Sequence, residues 1–120
     1  MIFSGECLRE TTGLTDLAAG LDRMAPRTQG FLAVSDGPNA VRYRFGGEVR
    51  TIPVFRIEAV DTLAAGDVFH AGIALALAEG RDEVAAMRFG AAAAALKCTR
   101  FGGSMGAPTR AEVDDFLARQ

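Results

Sequence analysis

The sequence predicts an α/β fold with a mostly parallel sheet, and three observations carry that reading. Short apolar runs bounded by turn residues, "IFS" (2–4) and "GFLAVSDG" (30–37), have the length and composition of buried strands. Apolar residues at helical spacing separate those runs, and from about Ala65 helical periodicity takes over the rest of the chain. Between the two regions, "AVRYRF" and "EVRTIPVF" flank Gly46-Gly47, a strong hairpin signal. With 120 residues the chain is long enough for one domain with a real core and too short for two.

Taken in order, residues 2–4 read as a strand end. Thr15 is the expected N-cap of a helix through "DLAAGLDRM", where Leu14, Leu17, Ala18, Leu21 and Met24 recur on one face. The run 30–37 follows as a parallel strand, then the hairpin, whose second strand Pro53 should end or push to an edge. "GDVFHAGIALALAE" is a helix stopped by Gly80, and Asp82 can cap the next helix, roughly 83–97. "TRFGGSMGAP" is a loop. Thr109 and Glu112 then form a capping box that opens a last helix with Val113, Phe116 and Leu117 on its apolar face. Three consecutive helices outnumber the strands available to receive them, so a sheet edge or a helix face is expected to lie open.

The charge balance excludes several functions. Thirteen basic and fifteen acidic residues leave a net charge of −2, which predicts neither a nucleic-acid nor a membrane partner. Arg42, Arg44, Arg50 and Arg56 are the nearest thing to a basic cluster, and their near-alternate spacing predicts the wet face of a strand pair. Cys7 and Cys98 stand far apart with no metal-ligand spacing, so both read as reduced thiols. "MIFSGECL" lacks the basic and apolar regions of a signal peptide, and Arg81 and Asp82 interrupt the longest apolar region. A cytoplasmic location is the expectation.

The chemistry concentrates in "VDTLAAGDVFHAG", 60–72. A helix beginning near Ala65 would leave the N–H groups of Ala64 to Asp67 as donors of its first turn, an anion site backed by the helix dipole. Ala, Ala and Gly allow an anion to lie against the backbone. Asp67 beside that site would repel a phosphate unless it has its own task, such as taking the proton of an attacking hydroxyl. Spacing alone favours the blander reading, an acid complementing the dipole and small residues permitting close helix packing.

"DTLAAGDVF", Asp61 to Phe69, resembles the second signature of the ribokinase-like (PfkB) carbohydrate kinases, D-T-x-G/A-A-G-D-x-F. "LKCTRFGGSMGAPT" is similar to the loop that closes the family's nucleotide pocket, and "RFGAAAAALKC" is similar to the ketohexokinase-like branch. The resemblance implies that residues 1–120 are the C-terminal, nucleotide-binding half of a ribokinase-like three-layer αβα sandwich, without the N-terminal sugar-binding and lid half. It implies ATP-dependent phosphorylation of a sugar hydroxyl, with ATP and Mg2+ as cofactors and K+ as a further candidate. Asp67 would be the catalytic base, and the backbone of Ala64, Ala65 and Gly66 the anion hole. "AVSDGPNA" looks like the family's V-T-x-G-x-x-G, so Ser35 and Gly37 would line the ATP site, with Ala40 at the second glycine. Ala92, Ala95 and Cys98 would wall the adenine pocket, and Asp61 and Thr62 would lie by a monovalent-cation site.

The family's N-x-x-E, which assists magnesium and phosphate, has no full match: aligned on Thr12-Gly13, Ser4 and Cys7 occupy its two places and Glu6 is one residue off. The resemblance also implies that sugar-contacting residues come mainly from the missing half, so the 120 residues alone are expected to have little or no kinase activity, positioning being most of the catalysis in this chemistry. The alternative is a non-catalytic nucleotide-binding or self-associating module, whose open sheet edge would favour self-association. The partners expected of the chain are ATP and a sugar substrate, with a homo-oligomer or the missing N-terminal half as the candidate protein partner. Gly102-Gly103-Ser104-Met105-Gly106 matches G-x-S-x-G, but a hydrolase elbow must join strand to helix with its histidine later in the chain, and the lone His70 lies upstream.

Overall fold

All four strands lie in the first half of the chain, the first separated from the other three by two helices, and helices alone follow. The computed structural model describes all 120 residues, Met1–Gln120, which form two compact units, Met1–Pro53 and Val54–Gln120.

The first unit runs β1 (Ile2–Ser4), α1 (Gly5–Thr12), α2 (Leu17–Met24) with a 3-10 turn at Ala25–Arg27, β2 (Leu32–Ser35), β3 (Val41–Phe45) and β4 (Glu48–Ile52). The sheet order is β1-β2-β3-β4. β1 pairs in parallel with β2 (Phe3 opposite Val34), as a strand–helix–strand crossover requires. The hairpin adds two antiparallel pairings, so the sheet within this chain is mixed. Gly46 and Gly47 make its two-residue turn, both with positive φ (57° and 85°), the backbone that a tight hairpin needs. Leu8, Leu17, Leu21 and Met24 from the helices bury against Leu32 and Val34 of β2, with Phe3 and Val49 packed at the margin. Each fully buried leucine is worth about 1.5–3 kcal/mol.

The start of α2 differs from expectation. Asp16, not Thr15, is the N-cap: its carboxylate accepts from the Ala19 N–H at 2.9 Å, so the helix opens at Leu17 and Leu14 stays outside it. The expected wet arginine face is also incomplete. Arg50 and Arg56 are exposed, while Arg44 is half-buried and donates to Asp22 of α2 at 2.9 Å. Arg42 is half-buried, and its Nη1 is enclosed without a hydrogen-bond partner.

The second unit begins with an irregular stretch to Ala64, anchored where the Phe55 ring meets Phe116 edge-on (5.1 Å) beneath the Arg88 guanidinium. α3 (Ala65–Ala78), α4 (Glu83–Cys98) and α5 (Arg110–Ala118) follow. Gly80, at φ 84°, ends α3: its N–H donates to Leu77 O and that of Arg81 to Ala76 O, the paired bonds of a glycine-terminated helix. Asp82 caps α4 through Ala85 N–H, and Thr109 with Glu112 closes the capping box of α5. α3 and α4 are in close backbone contact at two glycines. A Cβ added to Gly72 would lie 2.9 Å from Gly90 Cα, and one on Gly90 would lie 2.6 Å from Phe69 O. No helix is long and apolar enough to cross a membrane.

Candidate active site

The loop before α3 is held by one carboxylate. Asp61 Oδ1 accepts from the Leu63 N–H at 2.9 Å, and Oδ2 accepts from Gly102 and Gly103 at 3.1 and 3.2 Å. These amides hold the Asp61 carboxyl down at about 2, with the neighbouring Lys97 ammonium acting in the same direction. The Val60 and Asp61 N–H groups also donate to the carbonyl of Cys98 at the end of α4. The loop is therefore tied to α4 and to the turn beyond it before α3 begins.

Lys97 completes this clasp, and sequence reasoning missed it. Its side chain is fully buried, and Nζ donates to Asp61 O at 2.7 Å and lies 3.3 Å from Asp61 Oδ2. A lysine in an alanine-rich run reads as the polar edge of a helix, and only the fold shows that an acid from a distant loop receives it.

Ala64 has φ 63° and ψ 11°, a left-handed conformation unusual for a residue with a Cβ, and it is the only non-glycine with positive φ. That turn aims the chain into α3. Its carbonyl starts the helix by accepting from Val68 N–H at 3.0 Å. The expected anion hole is altered in one respect: the Ala65 N–H donates to Thr62 O at 3.1 Å, which uses one of the three donors. The N–H groups of Ala64, Gly66 and Asp67 have no protein acceptor. Gly66 is exposed, and a Cβ added there would meet nothing within 4 Å, so the backbone is open to close approach. Asp67 lies in the first turn of α3 with an exposed side chain and no hydrogen-bond or ion-pair partner. His70, one turn on, bonds Gly66 O through Nδ1 at 2.8 Å. The exposed Thr62 contributes its carbonyl to Ala65 rather than to the clasp.

The expected adenine-pocket residues divide. Ala92 is fully buried and Ala95 nearly so, both enclosed by protein on α4. A side chain without accessible surface cannot wall a pocket, so Ala92 belongs to the packing of α4. Cys98 is partly exposed, and burial pushes its thiol pKa up. In the first unit Ser35 ends β2 with its hydroxyl 3.5 Å from Phe3 O, and Gly37 turns at φ 55° with open space around it. Ser4 is occupied as the N-cap of α1, accepting from Cys7 N–H at 3.2 Å, and Glu6 is exposed in that helix's first turn. The G-x-S-x-G stretch forms a 3-10 turn, Gly103–Gly106, after a helix rather than after a strand.

The model of the pfkB family of carbohydrate kinases matches residues 2–110. The chain belongs to that family. Its pfkB relatives include ribokinase from Bacillus subtilis (strain 168), 47% identical over 87 residues, or 72% of this chain and 30% of that protein. The crystal structure of ribokinase from Thermotoga maritima superposes with a TM-score of 0.89 at 31% identity, covering 98% of this chain and 41% of that one. The structure of Arabidopsis thaliana ribokinase complexed with ribose and ATP gives a TM-score of 0.84 at 26% identity, over 97% of this chain and 40% of that one. These likenesses establish a ribokinase-like α/β fold for a pfkB segment. The chain spans less than half the length of the relatives it matches.

Proposed function

We propose that this chain carries the phosphoryl-transfer machinery of an ATP-dependent sugar kinase, as the C-terminal, nucleotide-binding part of that enzyme. One observation supports it most: in a pfkB member, an exposed and unpartnered acid, Asp67, stands in the first helical turn beside the free N–H groups of Ala64 and Gly66. In this reading a sugar hydroxyl attacks the terminal phosphorus of ATP while its proton passes to the Asp67 carboxylate. A new O–P bond forms as the bond to the β-phosphate oxygen of the departing ADP breaks. The negative charge on the moving phosphoryl oxygens is met by the N–H groups of Ala64 and Gly66, and by that of Ala65 once it releases Thr62.

No three His, Cys, Asp or Glu side chains converge to hold a metal ion, so Mg2+ would be held chiefly by the nucleotide's phosphates and water. When bound it would neutralise phosphate charge. Ser35, Gly37 and Cys98 are proposed nucleotide contacts, each resting on the family resemblance.

The test is sugar-dependent ADP formation by the 120-residue chain, and by a chimaera in which it replaces the matching segment of Bacillus subtilis ribokinase. The chain alone should turn over slowly or not at all, because positioning of the hydroxyl supplies most of the rate. The chimaera should be active, and Asp67→Asn should lower its kcat by about 10²–10⁴-fold with little change in nucleotide affinity. A chimaera that keeps its full kcat with Asn at position 67 would refute Asp67 as the base.

A further inference from the structure

The resemblance places a monovalent cation beside Asp61, and the oxygens around that residue would suit one: the Asp61 carbonyl and carboxylate, and the carbonyl of Arg100. They are already engaged. Lys97 Nζ lies 2.7 Å from Asp61 O, 3.3 Å from Asp61 Oδ2 and 3.4 Å from Arg100 O. An ammonium has three N–H donors, and three oxygens at these distances can take all of them. The Lys97 side chain has no exposed surface, so Nζ cannot swing into solvent to make room. A potassium ion sharing these oxygens would sit against a like charge in a desolvated place, which is strongly unfavourable. The residues present therefore do not fit a free cation.

We propose that Lys97 is a tethered cation, its ammonium standing where a monovalent ion would otherwise bridge the Asp61 loop to the turn after α4, and that this makes the loop's folded geometry independent of potassium. An ammonium and a potassium ion carry the same charge at similar size. Both bridge carbonyl and carboxylate oxygens that no regular secondary structure holds together. Asp61 and Arg100 lie in just such segments, the first in the loop before α3 and the second in the turn beyond α4. The remaining Asp61 lone pairs are met by the amides of Leu63, Gly102 and Gly103, so the position is closed by protein groups alone. The proposal stands on the contacts of Lys97 and does not require the chain to transfer phosphate.

Thermal unfolding of the 120-residue chain in potassium, sodium and choline chlorides at equal ionic strength is the test. The wild-type midpoints should coincide. Lys97→Met keeps the apolar stem and removes the charge. Its midpoint should fall in sodium and choline chlorides and recover by several degrees, saturably, with potassium or ammonium. A saturable, potassium-specific rise in the wild-type midpoint would overturn the proposal, because it would show a free ion binding with Lys97 in place. So would a Lys97→Met midpoint that potassium and ammonium leave no higher than choline does. Neither reading depends on catalysis, so failure of the Asp67 test and failure of this one are separate results.

Discussion

Replacing Gly90 with alanine tests whether the glycine pair sets the distance between α3 and α4. A Cβ at Gly90 would stand 2.6 Å from the carbonyl oxygen of Phe69 and 2.8 Å from Ile73 Cγ1. Ordinary contact begins at 3.4 Å, so the helices must part by about 0.8 Å at that point. A radial gap of about 0.5–1 Å forfeits a quarter to a half of the dispersion well for every atom pair along the opened seam. The obstructing atom is a backbone oxygen in α3 and cannot rotate aside, so the change belongs at the upper end of the about 1–3 kcal/mol usual for overpacking. Alanine returns about 1 kcal/mol through helix propensity, leaving a net loss of about 2 kcal/mol. With a urea m-value of about 1–3 kcal/mol/M, the denaturation midpoint should fall by about 1 M. Gly66→Ala is the control: it lies in the same unit, in α3, with open space around its Cβ, and should be neutral or slightly stabilising. A Gly90→Ala chain as stable as wild type would refute the reasoning, since the steric cost would then be no larger than the about 1 kcal/mol that helix propensity returns.

Two further predictions concern local devices in the same unit. The carboxyls of Asp61 and Glu112 are both lowered to about 2, Asp61 chiefly by backbone amides and Glu112 chiefly by the Arg100 guanidinium. Unfolded, the two groups return to 3.8 and 4.5, so their stabilisation is fully present above those values and is lost as pH falls through about 2. Thermal midpoints measured from neutral pH downward should therefore hold steady until the acid range and then fall, and Asp61→Asn should shrink that fall. Thr109→Ala removes the hydroxyl that accepts from Glu112 N–H and should cost about 1 kcal/mol, read as a shift in urea midpoint at unchanged slope.

Most helix ends were legible because each is written in a few adjacent residues. Gly80 stops α3, Asp82 opens α4, and Thr109 with Glu112 opens α5, all where residue type alone places them. Thr15 and Asp16 show the limit of such reading: both are good caps, and residue type does not choose between neighbours, whereas the fold uses Asp16, whose carboxylate accepts from the Ala19 N–H. The sheet was legible as strands and a hairpin, while its mixed pairing follows from which strands the hairpin adds. Lys97 was not legible at all. Its partners are the carbonyls of Asp61 and Arg100 and the Asp61 carboxylate, and helical periodicity carries no information about a partner 36 residues away. The left-handed turn at Ala64 was hidden for a similar reason, since alanine does not advertise a positive φ as glycine does.

The two acids of the motif are best understood by what their lone pairs already do. Asp61 receives three backbone amides and an ammonium, and its carboxyl is held at about 2. A group so satisfied accepts a proton only at the expense of those bonds, so it is a poor base at neutral pH and an effective clasp. Asp67, six residues on, is exposed with both oxygens free of protein donors. The left-handed turn at Ala64 lies between them, and because the clasp fixes the loop on one side of that turn, α3 starts in a set position on the other. Asp61→Asn and Asp67→Asn should therefore fail differently. The first weakens the hold on the Gly102 and Gly103 amides and lowers stability. The second breaks no protein contact, costs at most the about 0.3–1 kcal/mol of a first-turn acid on the helix dipole, and acts mainly on whatever meets the open turn.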